Sequence, residues 1–361
     1  MPSRTPAAFR VPYAPSAGAV PEDLYKERTM KRIAYLAEKL FSALLVVFCI
    51  VTVNFFLVRF MPGDVVMHIV GEDEYLNIMS TNPEKIEEIR AAYGLDADFF
   101  TQFVRYLKKT AALDFGSSFR TKAPVLDTIL FRGKWTLYLA LPTIVISGLI
   151  GGFTGLLCGW GEEKWYDRLV TRVFLLVNTI PSNCLAILFL IAFAFRLKWF
   201  PIGGITSGGL SGWARTADIF RHIQLPLIVL ILYRTASNHM LMRSTVTQLH
   251  GEQYIDTALS KGLTERLVRS RHLLKNALSP YITSLCMQMG GVFAGSMMVE
   301  VVFSWKGMGS LIYESVNAKD FPMLQGCFLL IGVCVVAFNL LSDVLYAVID
   351  PRVKDGEHEK V

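Results

Sequence analysis

"EQYIDTALSKGLTERLVRSRHLLKNALSP", Glu252–Pro280, is a charged island in an apolar chain. Asp256 to Lys261 are helix-compatible residues, and Gly262 interrupts the run. Thr264 followed by Glu265 has the form of a second helix start, with Leu267, Val268, Leu273 and Leu274 along one side. Pro280 reads as the closing residue. A helix–glycine–helix of this kind projects a short helix from a membrane surface into a protein partner. The same Arg266, Arg269, Arg271, His272 and Lys275 also suit an anionic lipid surface, at about 1 kcal/mol per basic residue.

The surroundings make the island unusual. Of 361 residues, 53% are hydrophobic and only 18% charged, and mean hydropathy is +0.42. Soluble globular chains carry about 25% charged residues, so this deficit points to lipid as part of the solvent. Six stretches are long and apolar enough to span a bilayer: Leu40–Phe60, Trp135–Trp160, Leu169–Phe195, Ile223–Met242, Tyr281–Trp305 and Met323–Ile349. The expected fold is therefore all-α, with six transmembrane helices and a long external loop between the first two. Residues 1–30 read as a disordered, proline-rich tail and 31–134 as the first span plus its loop. Residues 135–352 then form the transmembrane core, and 353–361 a terminal tail.

Loop charge gives the orientation. Segments 161–172, 243–279 and 350–361 hold three, six and three Lys/Arg, while 196–221 and 306–322 hold four and two. Seven basic residues precede the first span. Both termini and the Glu252–Pro280 segment are thus expected on the cytoplasmic side of a multi-pass cell-membrane protein. In the external loop, "NPEKIEEIRAAYGL" has Asn82-Pro83 as a helix start and Gly94 as its stop. "DADFFTQFVRYLKKTAAL" is amphipathic through Phe99, Phe103 and Tyr106. The six cysteines all sit in apolar runs with no C-x-x-C, so a zinc or disulfide framework is not expected. The net charge of +6 is dispersed and points to no nucleic acid. There is no G-x-x-x-x-G-K-[ST], H-E-x-x-H or G-x-S-x-G, so neither ATP hydrolysis nor any other enzymatic activity is expected of this chain.

The segment resembles the cytoplasmic loop of ATP-binding-cassette (ABC) importer permeases, whose pattern is E-A-A-x3-G. Here it reads Asp256-Thr257-Ala258, then Gly262, with Asp and Thr where the pattern has Glu and Ala. Further motifs agree in order: "PGD" (Pro62–Asp64), "DFGSS" (Asp114–Ser118), "TLYLAL" (Thr136–Leu141) and "IP" (Ile180-Pro181). They continue with "VEVVFSWKGMG" (Val299–Gly309), "KDFPMLQG" (Lys319–Gly326) and "NLLSDVLYAVIDPRV" (Asn339–Val353). The subgroup resembled imports peptides, nickel and some sugars. His239 and Met240 depart from it, standing where it often has Ala and Arg.

The resemblance implies a type I ABC importer permease, for di- or oligopeptides first and for nickel chelates or oligosaccharides second. It implies a homologous second permease, two ATPase subunits that use ATP and Mg, and an extracytoplasmic substrate-binding protein. No cofactor is then bound by this chain. The segment would act as a coupling helix in a groove of the ATPase, with Ala258, Gly262 and Leu263 at its centre and Glu252, Asp256, Glu265 and Arg266 at the rim. Polar or small residues inside the spans are the pore or gating candidates: Gly291, Gly295, Glu300, Arg234 and His239. Glu300 is read for gating or inter-helix pairing, with a satisfied interfacial carboxylate as the competing reading, and for Arg234 and His239 the competing reading is snorkelling. An ion-coupled secondary transporter is the rival class; it predicts two similar halves, interrupted helices at matching positions and mid-membrane carboxylates, whereas no internal repeat is evident and Glu300 and Asp343 lie towards span ends.

Overall fold

The computed structural model describes residues 22–60, 64–93 and 95–349. The tail before residue 22, Pro62-Gly63 of the first motif, the expected stop at Gly94 and the tail beyond 349 lie outside the described residues. The chain divides into two compact units, Met1–Leu45 and Val46–Val361. The described part of the first is the beginning of helix α1, Glu22–Arg59. Everything below concerns the second.

Four short helices follow α1: α2 (Val65–Val70), α3 (Glu72–Thr81), α4 (Glu84–Tyr93) and α5 (Phe99–Ala111). The expected pair α4 and α5 is present, and α2 and α3 are additional. Asp64 organises the group. Its carboxylate accepts from Val66 N–H at the start of α2, from the Tyr75 hydroxyl at 3.0 Å and from Arg90 of α4. Asp98 caps α5 by accepting from Thr101 N–H, and Lys108 and Lys109 sit at the negative end of its dipole. The apolar side of α5 packs on α1, where Phe55 meets Phe99, Phe103 and Tyr106 at ring separations of 5.2, 5.0 and 5.5 Å.

The long helices are α6 (Val125–Trp160), α9 (Gly212–His250) and α16 (Phe321–Ile349). Together with Ala37–Phe56 of α1 they give four helices long and apolar enough to cross a membrane. The third sequence stretch is a bent pair, α7 (Trp165–Thr179) and α8 (Ser182–Phe189), the latter running on as a π-helix over Leu190–Arg196. The two arms meet at 97° and count as a fifth crossing if taken together. Pro181 explains the bend: it has no N–H to continue the ladder and pushes Ile180 to φ −81°, ψ 124°.

The fifth stretch, expected as one span, is three helices: α12 (Leu274–Gly290), α13 (Val292–Gly295) and α14 (Met297–Val302). Between α9 and α12 lie α10 (Gln253–Ser260) and α11 (Glu265–Leu267), the latter continuing through a π-helical turn, Val268–Leu273. Pro280 does not close this segment; it lies inside α12, and a membrane helix tolerates such an interruption where neighbours re-satisfy the backbone. Helix α15 (Met308–Asn317) completes the order. Among the described residues there is no strand, only an isolated antiparallel bridge between Ser117 and Pro124.

Helix α6 and α9 form the spine. Gly151, Gly155 and Gly159, four residues apart, set α6 against the α9 backbone. A Cβ on Gly155 would lie 2.7 Å from both His239 O and Met242 Cβ, and one on Gly159 would lie 2.7 Å from Arg243 O. Small residues at every fourth position let two membrane helices touch backbone to backbone, where dispersion does the work that the hydrophobic effect does in water.

Candidate functional site

The Glu252–Pro280 segment is a built two-faced element. Gly262 N–H donates to Leu259 O at 2.9 Å and Leu263 N–H to Ala258 O at 3.3 Å, closing α10 through a left-handed residue, Gly262 at φ +83°. This conformation, disfavoured for any residue with a Cβ, is what the position demands. An added Cβ would meet nothing within 4 Å, so the glycine serves the turn and not close packing within this chain.

One face points inward. Ile255, Ala258, Val268, Leu273 and Ala277 are buried with Met242 and Val246 of α9 and Tyr281 of α12. Ala258 therefore packs against its own chain, and Leu263 and Leu259 are half-buried against the same cluster. The other face is open: Glu252, Asp256, Thr257, Lys261, Gly262, Glu265 and Arg266 are all exposed. The rim residues expected from sequence thus share one surface with Gly262. Ala258 does not, because the periodicity that puts Ile255 inward puts the residue three further on inward too.

Next to this element lies a polar network that crosses three helices. Arg243 of α9 donates to Asp167 of α7 through Nε at 2.6 Å and Nη2 at 2.8 Å. Thr171 donates to the same carboxylate at 2.9 Å, and Glu163 N–H does so at 3.1 Å. His239 is fully buried. Its Nδ1 is 3.0 Å from Thr154 Oγ1 of α6, its Nε2 is 3.2 Å from Thr171 Oγ1, and its ring lies 4.8 Å from Phe174. Its whole surroundings come from this chain, so here it joins α6, α7 and α9 and lines no opening.

Glu300 is likewise enclosed. Oε1 accepts from the Thr136 hydroxyl at 2.7 Å and the Ser296 hydroxyl at 2.9 Å, and Oε2 accepts from Ser310 N–H at 3.0 Å. Thr136 in turn accepts from Met308 N–H at 2.7 Å. Trp305 Nε1 donates to Trp135 O at 3.0 Å. Two of these bonds, Thr136–Glu300 and Met308–Thr136, join "TLYLAL" to "VEVVFSWKGMG", and Trp305–Trp135 adds a third immediately beside them. A second pair of motifs meets at Asp320, which accepts from the Ser118 hydroxyl and from Phe119 N–H at 3.1 Å. Gly326 lies so close to α6 that a Cβ would come within 2.7 Å of Val125 and Ile129 side chains.

Of the remaining candidates, Gly291 ends α12 at an ordinary φ of −83° with room for a side chain. Its neighbour Gly290 makes the close approach, a Cβ there lying 3.3 Å from Val335 Cα of α16. Gly295 ends α13. Arg234 is half-buried in α9 and makes no hydrogen bond or ion pair among the described residues. The glycine stripe of α6 is the feature the sequence reading passed over; its signal was "GGFTGLLCG", with Gly at 151, 155 and 159.

Residues 151–355 match the binding-protein-dependent transport system inner membrane component, and residues 32–140 match the N-terminal region of the same kind of component. The chain belongs to this family. It is a permease of the ABC importer type, a membrane transport subunit and not an enzyme. It is 32% identical over 323 residues to a putative peptide transport system permease protein of Brucella abortus (strain 2308), covering 89% of this chain and 99% of that one. It is 30% identical over 338 residues to the dipeptide transport system permease protein DppB of Alkalihalophilus pseudofirmus, covering 89% and 99%. It is also 30% identical over 320 residues to the glutathione transport system permease protein GsiC of Escherichia coli (strain K12), covering 89% and 98%. The permease is a helical, multi-pass inner-membrane protein.

Proposed function

We propose that this permease forms half of the translocation pore of an ATP-driven peptide importer and takes its driving force from a separate ATPase through residues 252–280. The observation that carries the reading is the two-faced coupling element. Its exposed face offers Asp256, Lys261, Gly262, Glu265 and Arg266 to a partner, while Ile255, Ala258, Val268 and Leu273 are clamped to α9 and α12. A rigid-body push on the outer face therefore moves two membrane helices together, since a packed core transmits displacement and resists compression.

Peptides are the substrate class because the relatives covered almost end to end carry peptide, dipeptide and glutathione in their names. In this reading the chain has six crossings, with α12–α14 as the broken fifth. Both termini and the coupling element are cytoplasmic, and α2–α5 form the external loop. The domain division is 1–30 tail, 31–134 first crossing and loop, 135–352 core and 353–361 tail. The partners are a homologous second permease, two ATPases that bind ATP and Mg, and an external binding protein.

The test is reconstitution of the permease with its ATPase subunits and binding protein in proteoliposomes. Gly262→Arg is expected to abolish ATP-driven peptide uptake while the helical content and Tm of the complex stay at wild-type values. Uptake unchanged by Gly262→Arg overturns the coupling assignment.

A further inference from the structure

We propose that Arg234 is a carboxylate-binding residue of the permeation path, holding the terminal carboxylate of a peptide in transit. The inference rests on the peptide-importer reading above.

Its position comes first. Arg234 lies in the apolar stretch Ile223–Met242 of α9. At ~1.5 Å rise per residue it is ~16 Å of helix from one end and ~12 Å from the other. Arginines that escape hydrocarbon by snorkelling sit near helix ends. Arg234 does not.

A guanidinium at this depth needs a counter-charge or water, and the neighbouring helices supply no acid. The only carboxylates on α6, α7, α8, α9, α12 and α14 are Asp127 in the first turn of α6, Asp167, Asp218 and Glu300, the last already held by Thr136, Ser296 and Ser310. Asp167 is held by Arg243, and Asp218 accepts from Thr206 and Ser207 near the start of α9. Two other arginines within the long helices do meet an acid: Arg243 pairs with Asp167, and Arg132 pairs with Glu314 at 3.0 Å.

A second, independent observation concerns the face itself. Ser237, one turn beyond Arg234, is exposed and donates to Asn178 Oδ1 at 3.0 Å. Asn178 and Thr179 are exposed at the end of α7, and Asn183 is exposed just past the Pro181 break. Residues three apart on a helix are neighbours, so Arg234 and Ser237 form one polar strip beside the bent pair. Open polar side chains and interrupted backbone at membrane depth belong to a water-filled cavity or a protein contact, never to hydrocarbon. The planar guanidinium fits a carboxylate with two parallel hydrogen bonds, a recognition lysine reproduces only as a point charge.

The experiment uses the complete reconstituted importer, with Ala-Ala-Ala and its C-terminal amide each added at concentrations that saturate the binding protein. Wild-type uptake is expected to favour the free acid. Arg234→Gln is expected to cut uptake of the free acid by about tenfold or more and leave the amide unchanged, so that the ratio collapses. Arg234→Lys retains part of the preference. Equal loss for both peptides, or failure of Arg234→Gln to co-purify with the second permease, assigns Arg234 to a subunit contact and overturns the proposal. Equal uptake of acid and amide by the wild type overturns it too. If the wild type takes up neither peptide, the peptide-importer reading itself fails.

Discussion

Arg243 grips Asp167 through two nitrogens, at 2.6 and 2.8 Å, and so ties the start of α7 to α9 seven residues before α9 ends, just ahead of the Glu252–Pro280 segment. Asp167 is 3% exposed and Arg243 is 24% exposed on its side chain. Removing one partner of a fully buried pair costs about 3–5 kcal/mol, and the partial exposure of Arg243 scales this to about 2–3 kcal/mol. Asp167→Asn is expected to lower the Tm of the detergent-solubilised importer by several degrees. Arg243→Asp combined with Asp167→Arg should recover part of the loss; a double variant no better than the sum of the singles would show that the pair does not act as a pair.

The glycine stripe of α6 sets the second expectation. Gly155→Ala forces a Cβ to within 2.7 Å of His239 O and Met242 Cβ, so α6 and α9 must separate. Overpacking of this kind costs about 1–3 kcal/mol. Gly155→Leu should prevent assembly of the importer. Gly251→Ala, with φ −79° and its nearest contact at 3.7 Å, is the neutral comparison, expected within about 0.5 kcal/mol of wild type. Thermal unfolding of the three variants side by side is the measurement.

Both expectations depend on contacts between residues 76 or more apart in the chain, which marks the limit of the sequence. The long helices, the helix pair α4 and α5 and the helix–Gly262–helix were all legible, because each rests on local periodicity, capping and one glycine. The break of the fifth stretch was not. Tyr281–Trp305 is apolar enough on average to read as one span, and hydropathy has no way to register that Gly290 approaches Val335 while the chain restarts at Val292 and Met297. Direction was equally hidden. A small residue such as Ala258 permits close approach on either side, and only packing against Met242, Val246 and Tyr281 decides that it faces inward. For His239 and Glu300 the partners were also out of reach, because Thr154, Thr171, Thr136 and Ser310 lie on other helices.

Glu300 illustrates how little room such a site leaves. A Cβ on Gly307 would lie 2.5 Å from both Glu300 Oε2 and Thr136 Oγ1. Gly307 has φ −95°, which any residue can adopt, so the requirement for glycine is spatial. Gly307→Ala is expected to displace the Glu300 carboxylate from its donors and to destabilise the importer by about 1–3 kcal/mol, the cost of leaving a buried polar group short of partners. Thr136→Val, which removes one donor to Glu300 and the acceptor for Met308 N–H, should fall in the same range. Thr136→Ser, which keeps both, should cost less. Unfolding curves that fail to separate Val from Ser would refute the hydrogen-bond account.

Helices α2–α4 carry a pH dependence that follows from Asp64. Partial burial by itself raises the Asp64 carboxyl. The bonds from Val66 N–H, Arg90 and Tyr75, with the charge of Arg90, outweigh it and hold the group below its ordinary value of 3.8. A carboxyl depressed in the folded state stabilises above its unfolded value and loses that contribution as pH falls through the folded one. The arrangement of α2, α3 and α4 is therefore expected to hold from neutral pH down to about 4 and to loosen below it. Amide hydrogen exchange across 65–93, followed from pH 7 to 3 after correction for the intrinsic rate, reads this directly. Asp64→Asn removes the titrating group and the charge that Arg90 meets, so the variant should exchange faster at neutral pH and show no further loosening near pH 4. Retention of the wild-type pH profile in Asp64→Asn would assign the acid sensitivity to another carboxylate of the loop.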